Sequence, residues 1–260
     1  IDIWLMFRPR LIPVLLIEDG MLVKTKKFKS GVYVGDPINA VRIFNDLQAD
    51  ELIFLDISAS KNKKTISLEL IETVGEESNM PFSVGGGIRT IEDIKKIINS
   101  GAERVVLSSA ACENPQFIKE ASDYFGSSTI AVCLDIKKDF FGNYSIYYEN
   151  GKKKLNFPYL DFISELETMG VGEIIIQSIL NDGMMQGYDL NLLNKISTML
   201  SVPLVALGGA GCMNDFENVY KKSFVNGVAA GSMFVFHGKD DGVLINYPSK
   251  KEIINLFKWK

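Results

Sequence analysis

The stretch Phe82-Ser-Val-Gly-Gly-Gly-Ile-Arg-Thr90 limits this chain more than any other. A short apolar run ends in three consecutive glycines, and a helix-like run follows over 91–99. A second apolar run, Arg104-Val-Val-Leu-Ser-Ser-Ala110, then ends in two serines. Glycines at a strand-to-helix turn let backbone N–H groups approach a ligand with no Cβ in the way. The positive end of the next helix then faces that ligand, which suits a phosphate. The stretch has an echo. Pro81, Gly86, Gly87 and Asp93 recur 122 residues later as Pro203, Gly208, Gly209 and Asp215. Glu51 recurs at the same offset as Glu173, and Ser109 one step further on as Ser232. Such self-similarity predicts two half-barrels, about 6–125 and 126–260. It also predicts two facing phosphate cradles. Gly86, Gly87, Ser108 and Ser109 form one, and Gly208, Gly209, Gly231 and Ser232 the other.

The rest of the chain fits that frame. Residues 11–17 are continuously apolar, the pattern of a strand buried on both faces. Further strands are expected at 51–57, 82–85, 104–107, 129–135, 173–178, 203–207 and 225–230. Asp36-Pro37 reads as a helix start, with Asp as N-cap and Pro in the first turn. Helices are also expected at 65–77, 91–99, 115–125, 160–169, 190–200 and 249–258. This alternation predicts an α/β fold: a single (β/α)8 TIM barrel over 1–260. A lysine-rich loop (Lys24, Lys26, Lys27, Lys29) follows the first strand. It reads mostly as a solvated charge run, with Lys24 near enough to a strand end to reach a phosphate. Residues 137–154 interleave Phe140, Tyr144, Tyr147 and Tyr148 with Gly142-Asn143 and Asn150-Gly151, a β-hairpin inserted after strand five. Asp56 and Asp135 fall near C-terminal strand ends, where barrel sites gather.

At 260 residues and a net charge of −4, the chain offers no electrostatic reason to bind nucleic acid or an anionic membrane. Its apolar runs are too short to span a bilayer. The N-terminus does not resemble a cleaved signal, and Met6 reads as a candidate natural start after an irregular lead-in at 1–5. Cys112, Cys133 and Cys212 lack metal-ligand spacing and read as reduced thiols, so a cytoplasmic protein is expected. The single histidine, His237, reads as structural on a final short helical segment. No metal site and no cofactor are expected.

Several motifs together carry a resemblance. They include Gly35-Asp-Pro37, Asp50-Glu-Leu-Ile-Phe-Leu-Asp-Ile57, Val84-Gly-Gly-Gly-Ile-Arg89, Asp182-Gly183, Gly187-Tyr-Asp189, Gly208-Gly-Ala-Gly211 and Val235-Phe-His237. As a set they resemble the cyclase subunit of imidazole glycerol phosphate synthase over nearly the whole chain. The resemblance implies a (β/α)8 barrel fed with ammonia by a separate glutaminase docked at its N-terminal face. It implies a bis-phosphorylated ribulosyl substrate of histidine biosynthesis, held by the two glycine turns. It implies acid–base catalysis by aspartates ending strands one and five. The second is Asp135, with Lys24 and Asp182 as further candidates on that face. The first aligns with Leu16, which can neither accept nor donate a proton.

Other departures fall on the same face: Leu180 for an aspartate, Gln177 for threonine, Leu207 for serine and Ser108 for asparagine. At the opposite end, Arg10, Glu51, Arg104 and Glu173 match the charged ring around the family's ammonia entrance, with Arg104 standing for a lysine. A salt-bridge layer closing the barrel floor is the other reading of that ring. Three functions follow from the resemblance. One is an ammonia-channelling subunit of a glutamine-dependent amidotransferase. It would serve an N-acetyl sugar amidotransferase that turns an acetamido into an acetamidino group for surface polysaccharide. The second is a genuine cyclase and lyase. The third is a non-catalytic activator of a glutaminase. A phosphorylated small molecule is the expected ligand.

Overall fold

The computed structural model describes residues 8–238 and 242–257. Met6, the lead-in at 1–5 and the expected last helical residue, Lys258, lie outside them. Eight parallel strands form the barrel: β1 (Arg10–Glu18), β2 (Leu52–Asp56), β3 (Phe82–Gly85), β4 (Arg104–Leu107), β5 (Ile130–Lys138), β6 (Glu173–Ser178), β7 (Leu204–Leu207) and β8 (Gly227–Ala230). Each pairs with the next, β8 pairs with β1, and the ring is closed all round. Eight helices cover it: α1 (Pro37–Asp46), α2 (Leu68–Glu77), α3 (Ile91–Asn99), α4 (Gln116–Phe125), α5 (Tyr159–Thr168), α6 (Leu190–Ser197), α7 (Met213–Ser223) and α8 (Lys250–Phe257).

Strand alternation explains why β1 is apolar from Leu11 to Ile17. Leu11, Leu15 and Ile17 pack outward against the helices. Ile12, Val14 and Leu16 point inward, with Ile53, Val106, Cys133, Ile175 and Val205. Successive side chains on a strand point to opposite faces, and here both faces are dry.

The echoed residues have matched structural duties. Pro81 and Pro203 accept backbone bonds from Leu52 and Ile174. Asp93 accepts from the N–H groups of Arg89 and Thr90, at 3.0 and 2.9 Å. Asp215 accepts from Gly211 and Cys212, at 2.9 and 3.1 Å. Each thereby satisfies free donors at its helix start. Gly87 (φ +67°) and Gly209 (φ +121°) are needed for close packing. A Cβ there would lie 1.8 Å from the Lys64 carbonyl oxygen and 2.1 Å from that of Gly187, respectively. Part of the glycine pattern therefore answers to the protein's own backbone.

Three expectations change. The lysine-rich stretch after β1 is a pair of antiparallel strands, Met21–Lys26 and Lys29–Gly35, the first paired with the end of β1. Leu22, Val23, Lys24 and Thr25 are all buried in the first of these strands and Val34 in the second, although charge dominates the sequence. Helix α2 begins at Leu68, not at 65, because Ile66 N–H donates to the Gly86 carbonyl and holds that segment across the glycine turn. His237 lies in a two-residue strand paired with Gly242, since the short helix Ser232–Val235 ends before it. The inserted hairpin forms, but it grows directly out of β5, with Asp135 opposite Tyr147. Its tyrosines pack as expected. Tyr144 donates to Asp189 at 3.0 Å, and Lys137, Lys138 and Lys153 lie over the rings of Tyr147, Tyr144 and Tyr148.

If the echoed aspartates are helix caps, Asp93→Ala and Asp215→Ala should each lower unfolding free energy by about 1 kcal/mol. Urea denaturation of the two variants measures this, and equal losses are expected from the matched geometry.

Candidate functional site

The C-terminal strand ends open into two cavities, and Leu16 lines both. The first, of about 150 Å3, is also lined by Asp135, Gln177, Gly86, Gly87, Ser108 and Ser109. The second, of about 30 Å3, brings together Gly208, Gly209, Gly231 and Ser232 with Lys24, Asp182 and Leu207. Each predicted glycine–serine set therefore gathers at its own opening. Ser109 is partly engaged, because its Oγ accepts from Glu149 N–H at 3.1 Å. Leu180 is partly exposed and lines neither opening.

Asp135 is buried beside Leu16, Cys133 and Gln177. Burial pushes its carboxyl up to about 8, and the negative charge of Asp182 adds to the rise. Desolvation disfavours the ionised form, so the group is held mostly as the acid at neutral pH. The Cys133 thiol is pushed up by the same burial. Leu16 offers no charge or hydrogen bond in return. Strand β1 stays regular through this point, with Leu16 opposite Leu55 on one side and Val23 on the other. Glu18 is exposed, with its carboxylate against Gly31, and Asp19 sits in the following turn at φ +49°. Neither takes the inward position. Asp56 does line the cavity, but its Oδ1 accepts from Ser58 N–H, Ser58 Oγ and Ala59 N–H, at 2.8, 2.8 and 2.9 Å. Its placement at a strand end therefore serves the loop that follows.

Lys24 stands mid-strand rather than beyond a strand end. It is buried, and its Nζ donates to the Val14 carbonyl. Burial lowers its ammonium to about 8, against the opposing pull of Asp182. Asp182 is itself a tie. It accepts from Thr25 Oγ1 at 3.0 Å, Gln177 Nε2 at 3.1 Å and Phe28 N–H at 3.3 Å, while burial raises its carboxyl. Gln177, a departure on this face, is thus the partner of that aspartate. Sequence reasoning missed Thr25, Phe28 and Asn150. Phe28 and Asn150 line the first cavity, and Asn150 Nδ2 donates to the Ile57 carbonyl at 2.7 Å, carrying the inserted hairpin across the mouth. Two turns distant in sequence meet there, and no local pattern signals it.

At the opposite end the four ring residues form one closed cycle. Arg10 pairs with Glu51 and Glu173, and Arg104 with the same two, at 3.3 and 3.0 Å. Ser83 Oγ also donates to Glu51 at 3.2 Å. Burial raises the Glu51 carboxyl, offset in part by the two arginines. Among the described residues, no group of three or more His, Cys, Asp or Glu side chains is placed to hold a metal ion. Nor is any helix long and apolar enough to cross a membrane.

The Asp135 shift fixes a sign. Its folded-state pKa lies above the unfolded value, so the folded chain binds the extra proton between about pH 4 and 8 and loses stability as pH rises through that window. Asp135→Asn cannot titrate. Urea midpoints measured from pH 5 to 8 should show wild type falling progressively relative to the variant. A constant difference would contradict the burial argument.

Similarity to known proteins accords with this arrangement. The family described as histidine biosynthesis protein matches residues 10–241. A Vibrio vulnificus (strain YJ016) protein, provisionally named as imidazole glycerol phosphate synthase subunit hisF3, is 47% identical over 251 residues, covering 96% of each chain. A Leptospira interrogans protein, provisionally named as subunit HisF of that synthase, is 43% identical over 253 residues, covering 97% of this chain and 100% of the relative. The Natranaerobius thermophilus imidazole glycerol phosphate synthase subunit HisF is 38% identical over 248 residues, covering 95% and 98%. With a closed eightfold barrel and these relatives along its length, the chain belongs to the histidine biosynthesis protein family, beside the HisF subunits of imidazole glycerol phosphate synthase.

Proposed function

We propose that this chain is the ammonia-conducting barrel of a glutamine-dependent amidotransferase, and that the family's cyclisation has been lost from it. One observation carries the reading: Leu16 shares a cavity with Asp135, and no unengaged carboxylate stands in its place. A reaction that needs one group to give a proton and another to take it then has half its equipment. A positioned acid–base group contributes about 10²–10⁴ in rate, or roughly 3–5 kcal/mol of transition-state stabilisation.

What remains supports a conduit. The charged ring is intact at the N-terminal end, and an apolar interior of Ile12, Ile53, Ala131, Ile175, Val205 and Ala229 separates it from the mouth. Small neutral ammonia crosses such a lining at lower cost than an ammonium ion, whose charge would have to be desolvated. The ring is closed by ion pairs, so passage requires an arginine to swing aside, and a glutaminase docked at that face would be the trigger. The acceptor is the open part of the proposal. The relatives' names give a synthase subunit and say nothing of an N-acetyl sugar, so nothing in them favours the surface-sugar acceptor.

The competing reading is a working cyclase and lyase. It draws on the relatives' names, on Asp135 and on the presence of both glycine–serine sets. Leu16→Asp separates the two. Purified chain is given ammonia and the bis-phosphorylated ribulosyl substrate. Wild type should show no turnover above background, and the variant should gain about 10²–10⁴ in rate. Wild-type turnover that the substitution fails to improve would overturn the proposal.

A further inference from the structure

The two openings at the mouth differ in size and in what lies beyond them. The one beside Gly208 and Gly209 encloses about 30 Å3, roughly the room of one water molecule. Lys24 occupies the space next to it, with its ammonium where a side chain on Gly231 would begin. The opening beside Gly86 and Gly87 encloses about 150 Å3 and continues outward. Ser60, Gly87, Arg89 and Asn150 line both this cavity and a surface groove of about 860 Å3.

That groove is basic. Lys61, Lys63, Lys64 and Lys152 line it, all exposed, and none forms an ion pair among the described residues. Its acidic neighbours are engaged elsewhere: Asp93 caps α3, and Glu149 pairs with Lys153 at 2.5 Å. Arg89 pairs with Glu113 at 2.6 Å. Lysines on a surface loop are ordinarily a solvated face. These differ by surrounding a concave surface that runs into the first cavity, where clustered charge of one sign focuses its field. The chain as a whole carries a net charge of −4, so the cluster runs against the average.

We propose that the ligand carries its anionic groups side by side, one in the Gly86–Ser109 cradle and the next in the lysine groove. An organic diphosphate has this form. A molecule with one phosphate at each end, spanning the mouth to Gly209, does not. The inference rests on the first cavity being the ligand site of the proposed function, and it does not depend on ammonia conduction.

Calorimetric titration of the full chain with orthophosphate and with pyrophosphate tests it, using wild type and the triple variant Lys61→Gln, Lys63→Gln, Lys152→Gln. The three lysines are exposed, and a thermal melt checks that the variant is folded. Pyrophosphate should bind once per chain, about tenfold tighter than orthophosphate, the gain expected of three exposed ion pairs. The triple variant should lose that gain, and added salt should shrink it in wild type. Equal affinity for the two anions, two orthophosphates per chain, or a gain surviving in the triple variant would overturn the side-by-side arrangement. Binding of neither anion would overturn the cavity as an anion site and this inference with it, while leaving ammonia conduction to its own test.

Discussion

The closed parallel ring imposes one requirement on everything else: each strand must bury both faces. Outward residues such as Leu11, Leu15 and Ile17 meet the helices, and inward residues such as Ile12, Val14 and Leu16 meet one another. The interior is therefore dry and narrow, and polar groups are pushed to its ends. At the N-terminal end, Arg10, Glu51, Arg104 and Glu173 satisfy one another in a cycle. At the C-terminal end, Asp135 and Lys24 have no such partners, and burial moves both to about 8. Desolvation acts at both ends: at Glu51 the two arginines offset part of it, whereas no cation offsets it at Asp135.

This contrast explains why one leucine has such large consequences. A second carboxylate across the mouth would share a proton with Asp135 or divide donor and acceptor duties with it, as interacting sites do. Leu16 removes that option and also makes the surroundings less polar, which strengthens the shift on the survivor. Asp182 does not replace it, because Thr25, Gln177 and Phe28 already occupy its oxygens. The mouth thus keeps one buried acid with no second carboxylate across from it.

Much of the fold was legible in the sequence because the barrel's rules are local. Strand runs and the Asp36 cap depend on near neighbours, and the 122-residue echo repeats such local units. The boundary errors have the same origin in reverse. Ile66 is held by the distant Gly86, out of reach of a local pattern, whereas the strand Met21–Lys26 pairs with β1 across the Asp19-Gly20 turn and its lysines masked that hairpin. Positions at strand ends were readable, whereas hydrogen-bond partners were not. Asp56 and Asp182 sit at or just beyond strand ends, and the bonds that tie them to neighbouring segments come from no local motif. Phe28 and Asn150 carry no motif and reach the cavity only because two turns cross the mouth. The glycines show a related limit. They were read as room for a ligand, and Gly87 and Gly209 prove to be packed against protein carbonyls as well.

The account turns on Asp135 standing alone in an apolar mouth. Its carboxyl can be followed directly by carbon NMR of the chain labelled at aspartate side chains, with Asp135→Asn identifying the resonance. A midpoint raised to near pH 8 is the result expected of a desolvated acid whose shift the Asp182 charge increases. A midpoint in the ordinary carboxylate range near pH 4 would show a cationic partner or open water beside it and contradict the account.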